Sequence, residues 1–304
     1  MKKNILLSIF VLLVNLAWAQ DDLLDQLNNE NSVSSPVLAT FKGTRIITGQ
    51  SNENISKKHL NFLILHRFGE LKDDAWYYSF LGLDGASVRL AFDYGITDKL
   101  MVGIGRSTVG KVYDFSAKYK LVQQTKGGNW NFPVAISYYG NVGINTTTFN
   151  DLNRNNFFTS RLNFCNQLII ARKINPSISL QITPTFVHRN LVNKTSDPND
   201  VFALGLGGSF KITRSTRFNI EYYPRLNGRD EAVNGSLTQK YEDYLAVGFD
   251  IETGGHVFQL MFSNSTYMYE QGFVTQTTGS WSDFGVRLGF NLSRTFSFDE
   301  SNKK

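Results

Sequence analysis

In the stretch Ser87-Val88-Arg89-Leu90-Ala91-Phe92-Asp93-Tyr94-Gly95, apolar and polar side chains take strict turns. Val88, Leu90, Phe92 and Tyr94 fall on one face; Ser87, Arg89, Ala91 and Asp93 fall on the other. Successive side chains of an extended strand point to opposite faces, so the segment has one face suited to hydrocarbon and one suited to water. The same period continues on both sides. Leu100, Val102 and Ile104 stand against Gly103 and Gly105, and Tyr113, Phe115, Ala117, Tyr119 and Leu121 against Asp114, Ser116, Lys118 and Lys120. Further on, Ile136 and Tyr138 oppose Ser137 and Tyr139, Phe218, Ile220 and Tyr222 oppose Arg217, Asn219 and Glu221, and Leu245, Val247, Phe249 and Ile251 oppose Tyr244, Ala246, Gly248 and Asp250. The last such run sets Phe284, Val286, Leu288, Phe290 and Leu292 against Asp283, Gly285, Arg287, Gly289 and Asn291. One row is almost free of charge. The other collects Arg, Lys, Asp, Glu and Gly.

A soluble β-sandwich alternates in the same way, with its apolar row packed inward. The N-terminus decides between the two. Lys2 and Lys3 precede an apolar run from Ile5 to Val14, and Ala17-Trp18-Ala19 has the small-x-small pattern of a signal peptidase site, so residues 1–19 are read as a signal peptide. That run is short of the about 20 apolar residues of a membrane-spanning helix, and no Cys stands at the cut to make a lipoprotein. Its removal takes Lys2 and Lys3 and lowers the formal charge from +5 to +3, too little for a nucleic-acid partner. Cys165 is the only cysteine, so no intrachain disulfide staples the fold. Export, strands near ten residues and glycine on the polar face together favour a closed membrane barrel.

Loop lengths give the strand count. Short turns at 96–99, 125–128, 175–176, 214–216 and 253–255 alternate with longer polar connections at 145–156, 188–200, 224–242 and 264–282. Outer-membrane barrels place short turns in the periplasm and long loops outside. Counting back from a descending last strand gives an all-β, antiparallel transmembrane β-barrel of about twelve strands over residues 59–298, with 299–304 a polar tail. The connection at 69–86 is extracellular, and its 73–83 portion reads as a short helix or loop. Residues 20–58 form a periplasmic leader and a plug or mouth segment. Within it, 38–47 reads as one more strand that would break the even count, so it is expected inside the barrel or across its periplasmic mouth, with Arg45 pairing a lumen carboxylate.

Several motifs carry a resemblance. Phe41-Lys42-Gly43-Thr44-Arg45, His66-Arg67-Phe68-Gly69, Gly82-Leu83-Asp84-Gly85-Ala86, Tyr94-Gly95-Ile96-Thr97-Asp98, Gly103-Ile104-Gly105-Arg106-Ser107 and Tyr113-Asp114 are similar to those of an uncharacterised family of predicted outer-membrane β-barrel proteins of Gram-negative bacteria. The resemblance runs over nearly the whole chain beyond the signal peptide. It implies the barrel fold; it brings no substrate and no catalytic residue.

The inward row supplies the candidate functional residues. Arg89, Asp93, Asp114, Lys118, Lys120, Arg161, Glu221, Asp250 and Arg287 are expected to line the lumen, and their mixed signs point to a salt-bridged interior. His66 and Arg67 are expected near the rim. Tyr94, Tyr119, Tyr138 and Tyr222 suit an aromatic girdle at the membrane interface. Tyr267, Tyr269 and Trp281, in the last long loop, are candidates for contact with a ligand outside. Four histidines, no Gly-x-Ser-x-Gly elbow and no His or Cys pair at ligand spacing select neither a catalytic nor a metal site, and no cofactor is expected. Asp197 and Asp200 provide too few oxygens for a Ca²⁺ loop. The expected partners are outer-membrane lipid and a small-molecule ligand. The function read from the residues is passage or binding of a small solute, with an adhesive surface barrel as the alternative and a lipid hydrolase as the lesser one.

Overall fold

The computed structural model describes residues 34–298 apart from 72–79, 81, 128–130, 150–154, 193–196, 229–239 and 254. The expected signal peptide, most of the expected leader, most of the 73–83 stretch expected as a short helix or loop, and the expected polar tail therefore lie outside the described residues. Twelve antiparallel strands close into one barrel. They are β1 (His59–Glu70), β2 (Ala86–Gly95), β3 (Leu100–Ser107), β4 (Val112–Val122), β5 (Ala135–Asn145) and β6 (Leu162–Lys173), followed by β7 (Ile178–Arg189), β8 (Asp200–Lys211), β9 (Thr216–Tyr223), β10 (Tyr244–Thr253), β11 (His256–Ser263) and β12 (Arg287–Ser297). Every strand pairs with its neighbours in sequence, and β12 returns to β1 from Arg287↔Glu70 to Ser297↔His59. Closure leaves no row of unpaired backbone groups, which hydrocarbon could not hydrogen-bond.

The alternation sorts as the period demands. Leu90, Phe92, Val102, Ile104, Phe115, Val142, Ile182, Phe202, Phe249 and Leu260 are exposed on the outer wall, while the intervening Arg89, Asp93, Asp114, Lys118, Glu221 and Asp250 are buried. A water-soluble protein rarely shows so continuous an apolar surface. Glycine on the inward row makes room for long polar chains: a Cβ on Gly105 would stand 2.3 Å from the Arg89 guanidinium that lies across it.

Two segments enter the barrel. From the end carrying the short turns, residues 37–52 run up into the lumen as a narrow hairpin rather than the expected strand, joined by the single bridge Arg45↔Gln50. It is anchored at its base by Ser35-Pro36, which pair with Thr125-Lys126 in the turn between β4 and β5. The second segment corrects the sequence reading. The 264–282 connection was expected to stand outside as an extracellular loop, but it folds inward and forms a buried helix, α1 (Glu270–Thr275), against β6 and β7. Met268, Phe273 and Val274 are almost fully buried, and a loop carrying such side chains lowers its free energy by leaving water. The last strand also begins later than its alternation implied: Phe284 is exposed and Val286 buried, both before Arg287.

Candidate functional site

Mid-lumen, the hairpin is held by a network built almost wholly from the inward row. Its tip is a tight turn in which Ile46 N–H donates to Gly49 O at 3.0 Å. The turn aims the N–H groups of Ile47, Thr48 and Gly49 at one carboxylate, Glu221 on β9, at 3.0, 2.9 and 3.1 Å. Gly49 is required there, since a Cβ would lie 2.3 Å from the Tyr223 hydroxyl. Around the turn, Arg67 and the Tyr244 hydroxyl donate to Thr48 Oγ1 at 2.9 and 2.7 Å. Asn291 donates to Ile47 O and Gln259 to Ile46 O. Lower down, Lys118 donates to Ser51 O at 2.9 Å and Thr44 Oγ1 to Asp93 at 2.9 Å. Hairpin carbonyls and wall side chains thus hydrogen-bond one another inside the lumen.

Hairpin and helix meet at one ion pair. Arg45 NH1 lies 2.8 Å from Glu270 Oε1, with side chains 5% and 0% exposed. Gln50 Nε2 and the Tyr139 hydroxyl complete the carboxylate at 3.0 and 3.1 Å. The expected carboxylate partner for Arg45 exists, but it comes from the inserted loop rather than from the barrel wall.

Of the residues expected to line the lumen, Arg89, Asp93, Asp114, Lys118, Glu221 and Asp250 do so. Arg89 forms a bidentate pair with Asp114, its NH2 donating to Oδ1 at 2.9 Å. Lys120 sits lower, at the short-turn mouth, 3.8 Å from Glu53. Two expectations are corrected. Arg161 is not on a strand but closes a 3₁₀ turn (Phe158–Arg161), donating to Asn145 O and Thr147 O at the long-loop mouth. Arg287 is half-buried at the same mouth and pairs with Glu70. The rim pair is corrected too. His66 faces outward and stacks on Phe290 at 5.0 Å, whereas Arg67 is fully buried among the hairpin contacts. One residue apart on a strand, they occupy opposite sides of the wall.

Above the helix, at the long-loop end, lies a cavity of about 380 Å³ bordered by Arg161, Arg189, Asn163, Gln271, Tyr267 and Tyr269 among others. The two tyrosines were expected to meet a ligand outside; they form one wall of this cavity, their rings edge to face at 5.8 Å. Trp281 points elsewhere and donates to Leu245 O. Arg189 and Gln271 were not singled out from the sequence. Arg189 ends its strand beside a polar loop, and Gln271 sits in a segment that reads as loop; only the inward parity of Arg189 carried a signal. On the outer wall, His188 has Nδ1 on Asp200 at 2.6 Å and Nε2 on Asn190 at 2.8 Å.

The placement of the hairpin makes a direct prediction. Trypsin added to the folded protein in detergent is expected to leave the Arg45 bond intact over a time that fully digests the urea-unfolded chain, because Arg45 is 5% exposed. Rapid cleavage at Lys42 or Arg45 would place the hairpin outside the lumen.

A family described as a membrane bound beta barrel domain (DUF5777) matches residues 41–296. No curated relative matches the chain. Among solved structures, it is similar to NanC porin at 9% identity and a TM-score of 0.47, over 79% of this chain and 100% of that one. It is similar to KdgM porin at 9% identity and a TM-score of 0.44, over 79% and 99%. An active-site mutant of outer membrane phospholipase A from Escherichia coli aligns at 10% identity and a TM-score of 0.39, over 80% and 91%.

Proposed function

Since the chain belongs to the family of membrane bound beta barrel domains (DUF5777), we propose that it is an outer-membrane barrel that binds a small solute at its outer mouth and passes it only when the lumen is cleared. The observation that carries this reading is the meeting of hairpin and helix at Arg45 and Glu270 in mid-lumen. Twelve strands lie between small barrels filled by their own side chains and porins with a standing aqueous channel. Here two segments of the same chain fill the space. Phe41, Ile46 and Ile47 of the hairpin join an apolar cluster with the wall and the helix, but most of its attachments are hydrogen bonds and ion pairs, and polar contacts can be exchanged for water at little net cost if the lumen hydrates. That is the composition of a removable stopper rather than of a permanent core.

The barrel is proposed to act by binding and passage and not by catalysis. His66 lies on the outer wall stacked on Phe290, away from the lumen, and His188 is engaged by Asp200 and Asn190 on the same outer side.

Planar bilayers test the proposal. The full chain is expected to show no steady conductance, and a variant lacking residues 34–52 to show stable open steps. The folded state of the variant is checked by its retarded heat-denatured migration in gels. A folded variant that stays shut would instead favour a structural or adhesive barrel, and a full chain that conducts steadily would remove the stopper.

A further inference from the structure

The cavity at the outer mouth has the chemistry of a particular ligand. Among the described residues its border holds two arginines, several amides and three aromatic rings, with no Asp or Glu: Arg161 and Arg189, Asn163 and Gln271, Phe149, Tyr267 and Tyr269. Arg189 is 4% exposed, yet its Nε and NH1 have no hydrogen-bond partner. Its NH2 alone is used, donating to Pro198 O at 2.9 Å. Asp197, the buried acid nearby, accepts from the Tyr241 hydroxyl at 3.1 Å. Gln271 Oε1 and Asn163 Oδ1 are likewise buried and unpartnered. Leaving a buried polar atom unsatisfied is unfavourable, so such groups on residues that border a cavity mark a place where something else completes them.

The open atoms differ in kind. Arg189 has open N–H donors at Nε and NH1 of a permanently charged guanidinium, and a carboxylate oxygen accepts from either. Gln271 Oε1 and Asn163 Oδ1 are acceptors and call for hydroxyl donors. The tyrosine and phenylalanine rings suit the apolar face of a ring, and Arg161 already lies over Phe149 at 4.1 Å. At about 380 Å³ the cavity is at the small end of the roughly 300–1,000 Å³ range of small-ligand sites.

We infer that this cavity binds a small carboxylate-bearing polyol, a sugar acid, with Arg189 taking the carboxylate and Gln271 and Asn163 taking hydroxyls. The inference deepens the proposed function by naming the solute class. It rests on that reading for its role in passage, but not for binding itself.

Isothermal titration calorimetry on the folded full chain in detergent separates the contributions, with glucuronate, glucose and acetate as probes. Glucuronate carries both features and is expected to bind at least tenfold more tightly than glucose or acetate. R189Q is expected to reduce glucuronate affinity at least tenfold, and R161Q, at a half-buried position less prone to disturb folding, to reduce it several-fold. Equal affinity for acetate and glucuronate, no glucuronate binding, or full affinity in both folded variants would each overturn the assignment. Binding without any conductance on removal of residues 34–52 would sustain the site and defeat passage; conductance without binding would do the reverse.

Discussion

Replacing Glu270 with alanine is expected to destabilise the folded barrel by about 3–5 kcal/mol, the cost of stranding one partner of a buried ion pair. Arg45 would remain 5% exposed beside the gap, and Gln50 Nε2 and the Tyr139 hydroxyl would lose their acceptor with it. The figure has a ceiling set by the hairpin itself: once the stranded charge costs more than the remaining tip contacts hold, the hairpin leaves and Arg45 is rehydrated. Urea unfolding in lipid vesicles measures the loss, and trypsin sensitivity at Arg45 reports which route the chain took. The double substitution Arg45→Met with Glu270→Met is expected to recover most of the stability, because an apolar pair of similar volume needs no desolvated charge. A single variant that loses nothing and stays protected would mean the pair does not join hairpin to helix.

Ile104→Arg is the second large effect, with an expected loss of about 2–4 kcal/mol in lipid, the cost of a cation on the outer wall near the bilayer midplane. Ile104 is 46% exposed and stands between Phe92 on β2 and Phe115 on β4. On a protein facing water, an arginine at an exposed position would change stability by less than about 0.5 kcal/mol. The same unfolding measurement therefore reads the solvent of this wall, and an unchanged midpoint would mean that it is not lipid.

How much of this was legible follows from what each segment must satisfy. In Ser87-Val88-Arg89-Leu90-Ala91-Phe92-Asp93, every side chain is sorted by a two-faced environment, so the period appears in the letters themselves. The faces follow from it, and the count of about twelve follows from the alternation of short turns and long loops; the closed barrel has twelve strands, with β12 paired to β1. That residues 37–50 lie inside the barrel or across its mouth was legible because an extra strand breaks an even count, and because Arg45 needs an acid; the choice between the two places was not. What failed is what depends on height along the barrel rather than on face. Parity put Arg287 inward but could not tell mid-lumen from mouth, it does not apply to Arg161, which precedes its strand, and it could not place Arg67 against Thr48.

The inserted helix was missed for a different reason. Residues 264–282 mix Ser, Thr, Tyr and Gly in the way surface loops do, and a six-residue helix has no periodic signature long enough to read. The available signal was apolar: Met268, Phe273 and Val274 are costly to leave in water in an otherwise polar connection. The lone acid Glu270 among them is the counterpart that Arg45 required.

The outward facing of the apolar row carries everything else. Single nitroxide labels at positions 92, 104, 115 and 142, each exposed on successive strands of the wall, in the protein reconstituted in lipid vesicles, measure it by collision with oxygen and with a water-soluble nickel chelate. High oxygen accessibility with little chelate accessibility at all four is the result expected of side chains in hydrocarbon; chelate accessibility exceeding that of oxygen at these sites would contradict it.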